Sequence, residues 1–247
     1  MARTTLKTVL LSATPDPELI VSMGAKLCYS KADIGALQKT AKSEEFIDRL
    51  TQMGHLSPIE HASFTFGVEG VSRALLAQIT RHRIASFSVQ SQRYVNQSEK
   101  KESFSYIIPP SIEALGKDAV AKFEEQMAIM QGWYDEWVCA LGGKGEKSNE
   151  DARFVLPNAC ETKMIITMNA RELLHFFNLR CCNRAQWEIR ELAWQMLALT
   201  AKKAPGLFKS AGPSCVCGAC GEGRMTCGKA AEVREKHKKL MEDVNHG

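Results

Sequence analysis

No stretch of this 247-residue chain approaches the ~18 consecutive apolar residues that a membrane span needs. Near the start, Val9-Leu10-Leu11 is too short for the apolar region of a signal peptide. Charge of one sign is missing too. Lys plus Arg number 32 and Asp plus Glu 28, so the net charge is only +4, not that of a dedicated nucleic-acid binder. There is no internal repeat and no low-complexity tract. What is there is ordinary for a globular protein: 45% apolar and 24% charged residues, too hydrophobic for wholesale disorder. The length suits one large domain or two small ones and a core that needs no disulfide staples. Nine cysteines without a secretory signal read as reduced thiols in a cytoplasm.

Strand and helix signals mix without strict alternation. Residues 6–12, 62–68 and 163–168 carry strand patterns, and Tyr106-Ile107-Ile108 reads as a further short strand stopped by Pro109-Pro110. Asp16-Pro17 opens a helix to about Tyr29, residues 44–53 form an amphipathic helix, and Ser72 caps one over 73–79. Polar residues 84–104 read as a long ordered loop, 111–141 as one long helix, and GGKGEKSNED as a surface connection. Asn169 with Glu172, and Asn183 with Gln186, make capping boxes for helices starting near 170 and 184. The second ends before Pro205. The expectation is an α/β (α+β mixed) single domain over 1–206, a mixed sheet flanked by long helices, with a Cys-rich loop and charged C-terminal helix, 207–247, packed on it.

The segment with the most chemistry is 78–94. It gathers Arg81, His82, Arg83 and Arg93, with Ser86, Ser88, Gln90 and Ser91 among them and no acid anywhere. Arginine forks suit phosphate or carboxylate, and hydroxyls with loop N–H groups complete such a site. A solvated basic helix end, where cations meet free carbonyls, fits the same composition. Ile84, Ala85 and Phe87 alternate with the polar groups and favour a folded segment over bare surface.

Arg81-His82-Arg83, seven residues, then Ser91 resembles the signature of the flavin-dependent thymidylate synthases. Four further blocks resemble that family in order: His55-Leu56-Ser57-Pro58-Ile59-Glu60-His61 followed by FTF; Arg153-Phe154-Val155-Leu156-Pro157; Asn169-Ala170-Arg171; and Asn178-Leu179-Arg180 with Ala185-Gln186-Trp187-Glu188-Ile189. Together they cover about residues 55–190, which is far more specific than one short motif.

The resemblance implies conversion of dUMP to dTMP, with methylenetetrahydrofolate as carbon donor and NADPH as reductant, through bound FAD. It implies a homotetramer with composite sites, and no nucleic acid or membrane as partner. Carried over motif by motif, Gln78, Arg81 and the loop Val89, Gln90, Ser91, Gln92 and Arg93 hold dUMP. Ser91, Arg93 and Arg153 take the phosphate. Arg180 sits against the pyrimidine as the catalytic group, its charge favouring an anionic uracil. Ser57, Arg81, His82, Arg83, Asn169, Arg171 and His175 form the flavin site. Each has a plainer role beside it: Arg153 a surface residue near Glu150, Arg180 a carbonyl cap, His175 a core histidine, Asn169 a helix cap. The chain departs from the family with His175 at an Asn position, Arg184 where some members have His, and Val89 where an acid sometimes stands.

Cys181-Cys182 beside Arg180 raises the question of a cysteine nucleophile, which this family does not need; both read as packing thiols. Cys215, Cys217, Cys220 and Cys227 could close a zinc site or form a reduced loop, and the reading favoured is the loop, with no metal. A small nucleic-acid-binding protein is the rival function, built from the RHR patch, the cysteine cluster and the basic tail EVREKHKK. The modest net charge and the lack of interleaved aromatics beyond Phe87 and Tyr94 weigh against it.

Overall fold

A computed structural model describes residues 2–39, 46, 47, 50, 54–98, 103–143 and 145–246. The helix expected over 44–53 lies largely outside the described residues, though Phe46, Ile47 and Leu50 are helical. The elements in order are β1 (Lys7–Ala13), α1 (Pro17–Leu27), α2 (Ile34–Gln38), β2 (Ser63–Ser72), α3 (Arg73–Ile79), β3 (Ala85–Val89), α4 (Pro110–Glu113), α5 (Lys117–Ala140), α6 (Glu146–Ala152), β4 (Glu161–Asn169), α7 (Ala170–Arg180), α8 (Trp187–Lys203), α9 (Pro205–Phe208) and α10 (Ala230–His246). The combination of α and β elements agrees with the expectation from sequence. The sheet itself is four-stranded in the order β1-β2-β4-β3 and antiparallel, not mixed. No short βα crossover joins neighbouring strands, so sequence order leaves their direction open.

Strand periodicity is clean. In β4, Thr162, Met164, Ile166 and Met168 are buried while Lys163 and Ile165 are exposed. In β2, Phe64, Phe66 and Val68 are buried in the same way. Both strands run straight into a helix with no intervening loop. Ser72 Oγ accepts from Leu75 N–H at 3.0 Å, and Asn169 Oδ1 accepts from Glu172 N–H at 2.9 Å. Each cap satisfies a donor that the first helical turn leaves without a partner.

The chain divides into two compact units. The first comprises Met1–Lys7, Val68–Arg81 and Phe87–Ile165. Its core gathers Phe104, Tyr106, Ile108, Met127 and Cys160, with a second cluster of Tyr134, Val138 and Ala152. The second comprises Thr8–Gly67, His82–Ser86 and Ile166–Gly247. Its core carries an aromatic run, Phe176 on Phe177 at 5.9 Å, Phe177 on Phe208 at 5.9 Å and Phe208 on Phe64 at 5.4 Å, all edge-to-face. Glu18, 4% exposed, accepts from Gly206 N–H at 2.8 Å and ties α1 to the start of α9.

Several local expectations are corrected. Residues 85–89 are a strand inside the expected loop, since Ala85, Phe87 and Val89 alternate with serines and the polar content masks the period. Tyr106 makes only isolated bridges, to Arg3 and Cys160. The long helix over 111–141 is broken at Gly116, whose φ of 100° closes α4 and opens α5. The surface connection after Gly143 contains α6, entered from Gly145. The capping box at Asn183 is absent: α8 starts at Trp187, and Gln186 Oε1 accepts from Glu188 N–H at 3.0 Å and Ile189 N–H at 3.2 Å.

Gly70 sits at φ +70° against the segment that leads into β1, and a Cβ there would stand 1.9 Å from the Thr5 carbonyl oxygen. Gly132 lies within α5, and a methyl group added there would meet no atom within 4 Å. Gly70→Ala is therefore expected to lower stability by ~1–3 kcal/mol or more. Gly132→Ala is expected to raise it by ~0.5–1 kcal/mol. Denaturant midpoints of the two variants moving in the same direction would contradict this packing.

Candidate functional site

In the first unit, α3 carries Gln78 and leads to Arg81, and β3 leads into the loop 89–93. That loop is held by hydrogen bonds from its own unit. Gln90 N–H donates to the Lys163 carbonyl at 2.9 Å, Asn149 Nδ2 to the Arg93 carbonyl at 2.9 Å, and Asn96 Nδ2 to Asn149 Oδ1 at 2.6 Å. Farther along, Gln131, 1% exposed, donates to the Gln97 carbonyl at 2.7 Å and accepts from Phe104 N–H at 3.1 Å. Arg73 reaches the Gln90 carbonyl at 3.4 Å and Thr162 Oγ1 at 3.2 Å. Ser91 Oγ accepts from Arg93 N–H at 3.2 Å, which leaves its hydroxyl proton able to donate.

The lack of acids within segment 78–94 does not leave every arginine there without a partner. Arg93 pairs with Glu146 and, at 2.8 Å, with Glu150, two acids that lie far off in sequence on α6. Arg153 Nε donates to the Glu150 carbonyl at 3.0 Å. Arg81 and Arg83 are exposed and have no carboxylate partner among the described residues. Gln78 Nε2 contacts the Ala74 carbonyl at 3.4 Å.

The second unit holds a cleft of about 750 Å³. Asn169, Arg171 and His175 line it together with Leu56, Glu60 and Ile84, so three of the expected flavin residues share one cavity. Arg171 Nη1 pairs with the Glu60 carboxylate. Ser57, exposed at the start of a 3₁₀ turn over Pro58–His61, stands beside Leu56 but not in the cleft wall. Amide and guanidinium donors facing apolar walls fit a flavin, whose ring is flat and apolar with a polar edge.

His82 departs from expectation. Its side chain is 4% exposed and outside the cleft wall. Its Nδ1 lies 3.1 Å from Glu172 Oε1, and its Nε2 accepts from Arg180 Nε at 3.0 Å. Burial pushes the imidazole below its ordinary 6.5, Glu172 opposes that shift, and Arg180 adds to it. Glu172, at N3 of the expected capping box, makes only half of it. Its N–H takes the Asn169 cap while its carboxylate turns to His82.

Sequence reading missed Arg73, Asn149 and Glu172 as site supports. A cation in the first turn of a helix opposes the helix dipole, so Arg73 was a signal open to reading. Asn149 and the acids on α6 left none, because α6 itself was not expected.

The thiols separate by environment. Cys181 is fully buried and its thiol is pushed far up, unfit for a nucleophile at neutral pH. Cys182, Cys215, Cys220 and Cys227 line a 230 Å³ pocket, while Cys217 points to the Ser210 carbonyl at 3.4 Å. Among the described residues no group of three or more His, Cys, Asp or Glu side chains is arranged to hold a metal ion. Nor is any described helix long and apolar enough to cross a membrane.

The family model described as "Thymidylate synthase complementing protein" matches residues 9–206. The chain belongs to that family. A "Flavin-dependent thymidylate synthase" of Geobacter sulfurreducens is 50% identical over 238 residues, covering 95% of this chain and 99% of the relative. One of the same description from Clostridium tetani is 50% identical over 244 residues, covering 93% and 96%. Among solved structures, a UMP/dUMP methylase, PolB from Streptomyces cacaoi bound with 5-Br dUMP, matches with a TM-score of 0.70 at 24% identity, covering 84% of this chain and 95% of that one. At that identity the likeness speaks for the fold of this family member.

Two buried histidines, His82 and His237, have pKa values held below 6.5 by burial. The unfolded chain binds protons at these positions nearer pH 6.5 and the folded chain resists them. Their contribution to stability is therefore whole above 6.5 and is lost as pH falls below it, by at most ~1.4 kcal/mol per pH unit for each group. The denaturant midpoint is expected to drop between pH 7.5 and 5.5, and equal midpoints would rule out neutral buried imidazoles.

Proposed function

We propose that this chain is a flavin-dependent thymidylate synthase that methylates dUMP to dTMP, with methylenetetrahydrofolate as carbon donor and NADPH as reductant, using bound FAD. The 50% identity to relatives so described, over nearly the full length of both chains, supports the reading. The observation that carries it is the prepared arrangement of the motif residues. The loop that holds Ser91 and Arg93 is fixed by Asn149 and Arg73, and Arg180 is anchored through Nε by a neutral imidazole. The motif matches also support a homotetramer with composite sites and a catalytic domain ending near residue 206. Nine free cysteines support a cytoplasmic location.

At the phosphate, Arg93, Arg153 and Ser91 supply charge-assisted donors, with Gln78, Arg81 and the backbone of Val89, Gln90 and Gln92 around the nucleotide. At the pyrimidine, Arg180 faces the uracil edge. A guanidinium there lowers the N3 pKa, and ionised uracil is more nucleophilic at C5, where the new carbon bond forms. Asn169, Arg171 and His175 hold the flavin, and the motif matches give Ser57, Arg81 and Arg83 the same role. His82 contributes main chain and support, since its ring is buried. When bound, the flavin supplies the redox chemistry that turns a transferred methylene into a methyl group.

Purified protein is expected to show a flavin spectrum that NADPH bleaches anaerobically, faster with dUMP present. Colourless protein that takes up no added FAD would overturn the reading. Arg180→Ala is expected to retain FAD and lose ~100-fold or more in turnover, as for removal of a group that stabilises developing charge. Arg93→Ala is expected to weaken dUMP binding ~10- to 100-fold, the worth of one charge-assisted contact. Isothermal titration measures the second, and unchanged affinity removes Arg93 from the phosphate site.

A further inference from the structure

We propose that Glu172 and His82 are positioning residues that hold the Arg180 guanidinium in one orientation through a buried hydrogen-bond chain, Glu172–His82–Arg180. The proposal rests on the reading of Arg180 as the group facing the pyrimidine.

The chain has a single consistent proton arrangement. A carboxylate only accepts, so the nitrogen facing Glu172, Nδ1, carries the imidazole proton and donates to Oε1 at 3.1 Å. A guanidinium only donates, so Nε2 must offer its lone pair to Arg180 Nε–H at 3.0 Å. Both ends demand the same neutral tautomer independently. The ring is fixed sideways as well, edge-on to Phe176 at 5.0 Å and to His175 at 6.2 Å. The His82 and Glu172 side chains are 4% and 8% exposed, so the bond between them is well shielded although Glu172 also borders the 750 Å³ cleft.

Both ends of the chain lie on α7. Glu172 occupies the first turn, its N–H held by Asn169 Oδ1, and Arg180 is the last helical residue. The imidazole spans the helix from outside and gives Arg180 an anchor near its Nε. A planar guanidinium held through Nε has its terminal nitrogens directed as one rigid fork. Among the described residues Arg180 forms no ion pair, so that fork is not spent on a carboxylate. The negative charge that balances it comes from Glu172 through a neutral ring, not by direct contact.

The groups facing His82 are Glu172, Arg180 and His175, all on α7. Protonation of His82 would place an N–H against the Arg180 N–H and set two cations together. The arrangement therefore works only with the ring neutral, and it predicts an acid limb in kcat that Glu172 helps to set.

The experiment uses the FAD-loaded enzyme and its variants Glu172→Leu, Glu172→Gln, His82→Phe and Arg180→Ala. Four readouts are taken: the flavin spectrum, dUMP affinity, kcat against pH, and the ultraviolet difference spectrum of bound 5-fluoro-dUMP, which reports ionisation of the pyrimidine. Glu172→Leu and His82→Phe are expected to retain FAD and bind dUMP within about threefold, and to lose at least ~10-fold in kcat, since each removes a buried charge-assisted bond. They should also lose the ionised-pyrimidine signature. Glu172→Gln still accepts from Nδ1–H and is expected to recover kcat to within about threefold, which a mere change of buried shape would not predict. Because it removes the negative charge that favours imidazolium, its acid limb should move to lower pH. Wild-type kcat in either disruptive variant, or an unmoved acid limb in Glu172→Gln, overturns the proposal. Should the Leu and Phe variants fail to fold, the Gln limb decides alone. Arg180→Ala separates the two readings: if it turns over normally, the role of Arg180 itself is wrong. If it is dead while the disruptive variants are not, only the positioning chain is wrong.

Discussion

Much of what is placed at the candidate sites depends on a junction, the point at which a strand becomes a helix without a loop between. Ser72 ends β2 and caps α3, and Asn169 ends β4 and caps α7. A side-chain oxygen at each junction takes an N–H that would otherwise go unsatisfied, so the backbone can turn in a single residue. The strand is held by its ladder and its buried face. The helix direction follows from the strand with little freedom. Gln78 and Arg81 follow from the first junction, and Arg171, His175 and Arg180 from the second.

Around these fixed directions the polar groups of each unit are arranged by buried amides and acids more than by surface pairs. Asn149, Gln131 and Asn96 fasten the loop after β3 to the helices of the first unit. Buried hydrogen bonds of this kind are costly to leave incomplete, so a loop tied by several holds one shape. In the second unit, Glu172 and His82 do the same for one arginine. Exposed pairs such as Lys7 with Glu69 add little by comparison.

Much of this was legible in the residues. The strands around Phe64 and Ile166, the caps at Asp16, Ser72 and Asn169, and the helix before Pro205 follow from periodicity and cap chemistry alone. The motif blocks named the family that the 50% identical relatives also carry. What was not legible depended on distance. That Arg93 finds Glu146 and Glu150, over fifty residues away, cannot be read from a segment free of acids. The family resemblance implies a flavin contact for His82, while its side chain turns inward to a carboxylate brought by another element. Gly116 and Gly145 changed helix boundaries through positive φ values, which composition suggests without fixing. The strand over 85–89 was in plain view, and hydroxyl content outweighed a period of two.

The helix Ala170–Arg180 acts as a gauge. It carries a cap at one end, an acid in its first turn and Arg180 at the other, and a ring from outside the helix measures the interval between the last two. Each residue of an α-helix advances ~1.5 Å and turns ~100°. A single insertion or deletion between Glu172 and Arg180 would swing the guanidinium a quarter turn or more away from the imidazole. A substitution along this stretch changes only what one side chain packs against, whereas a change in its length would part the guanidinium from its anchor.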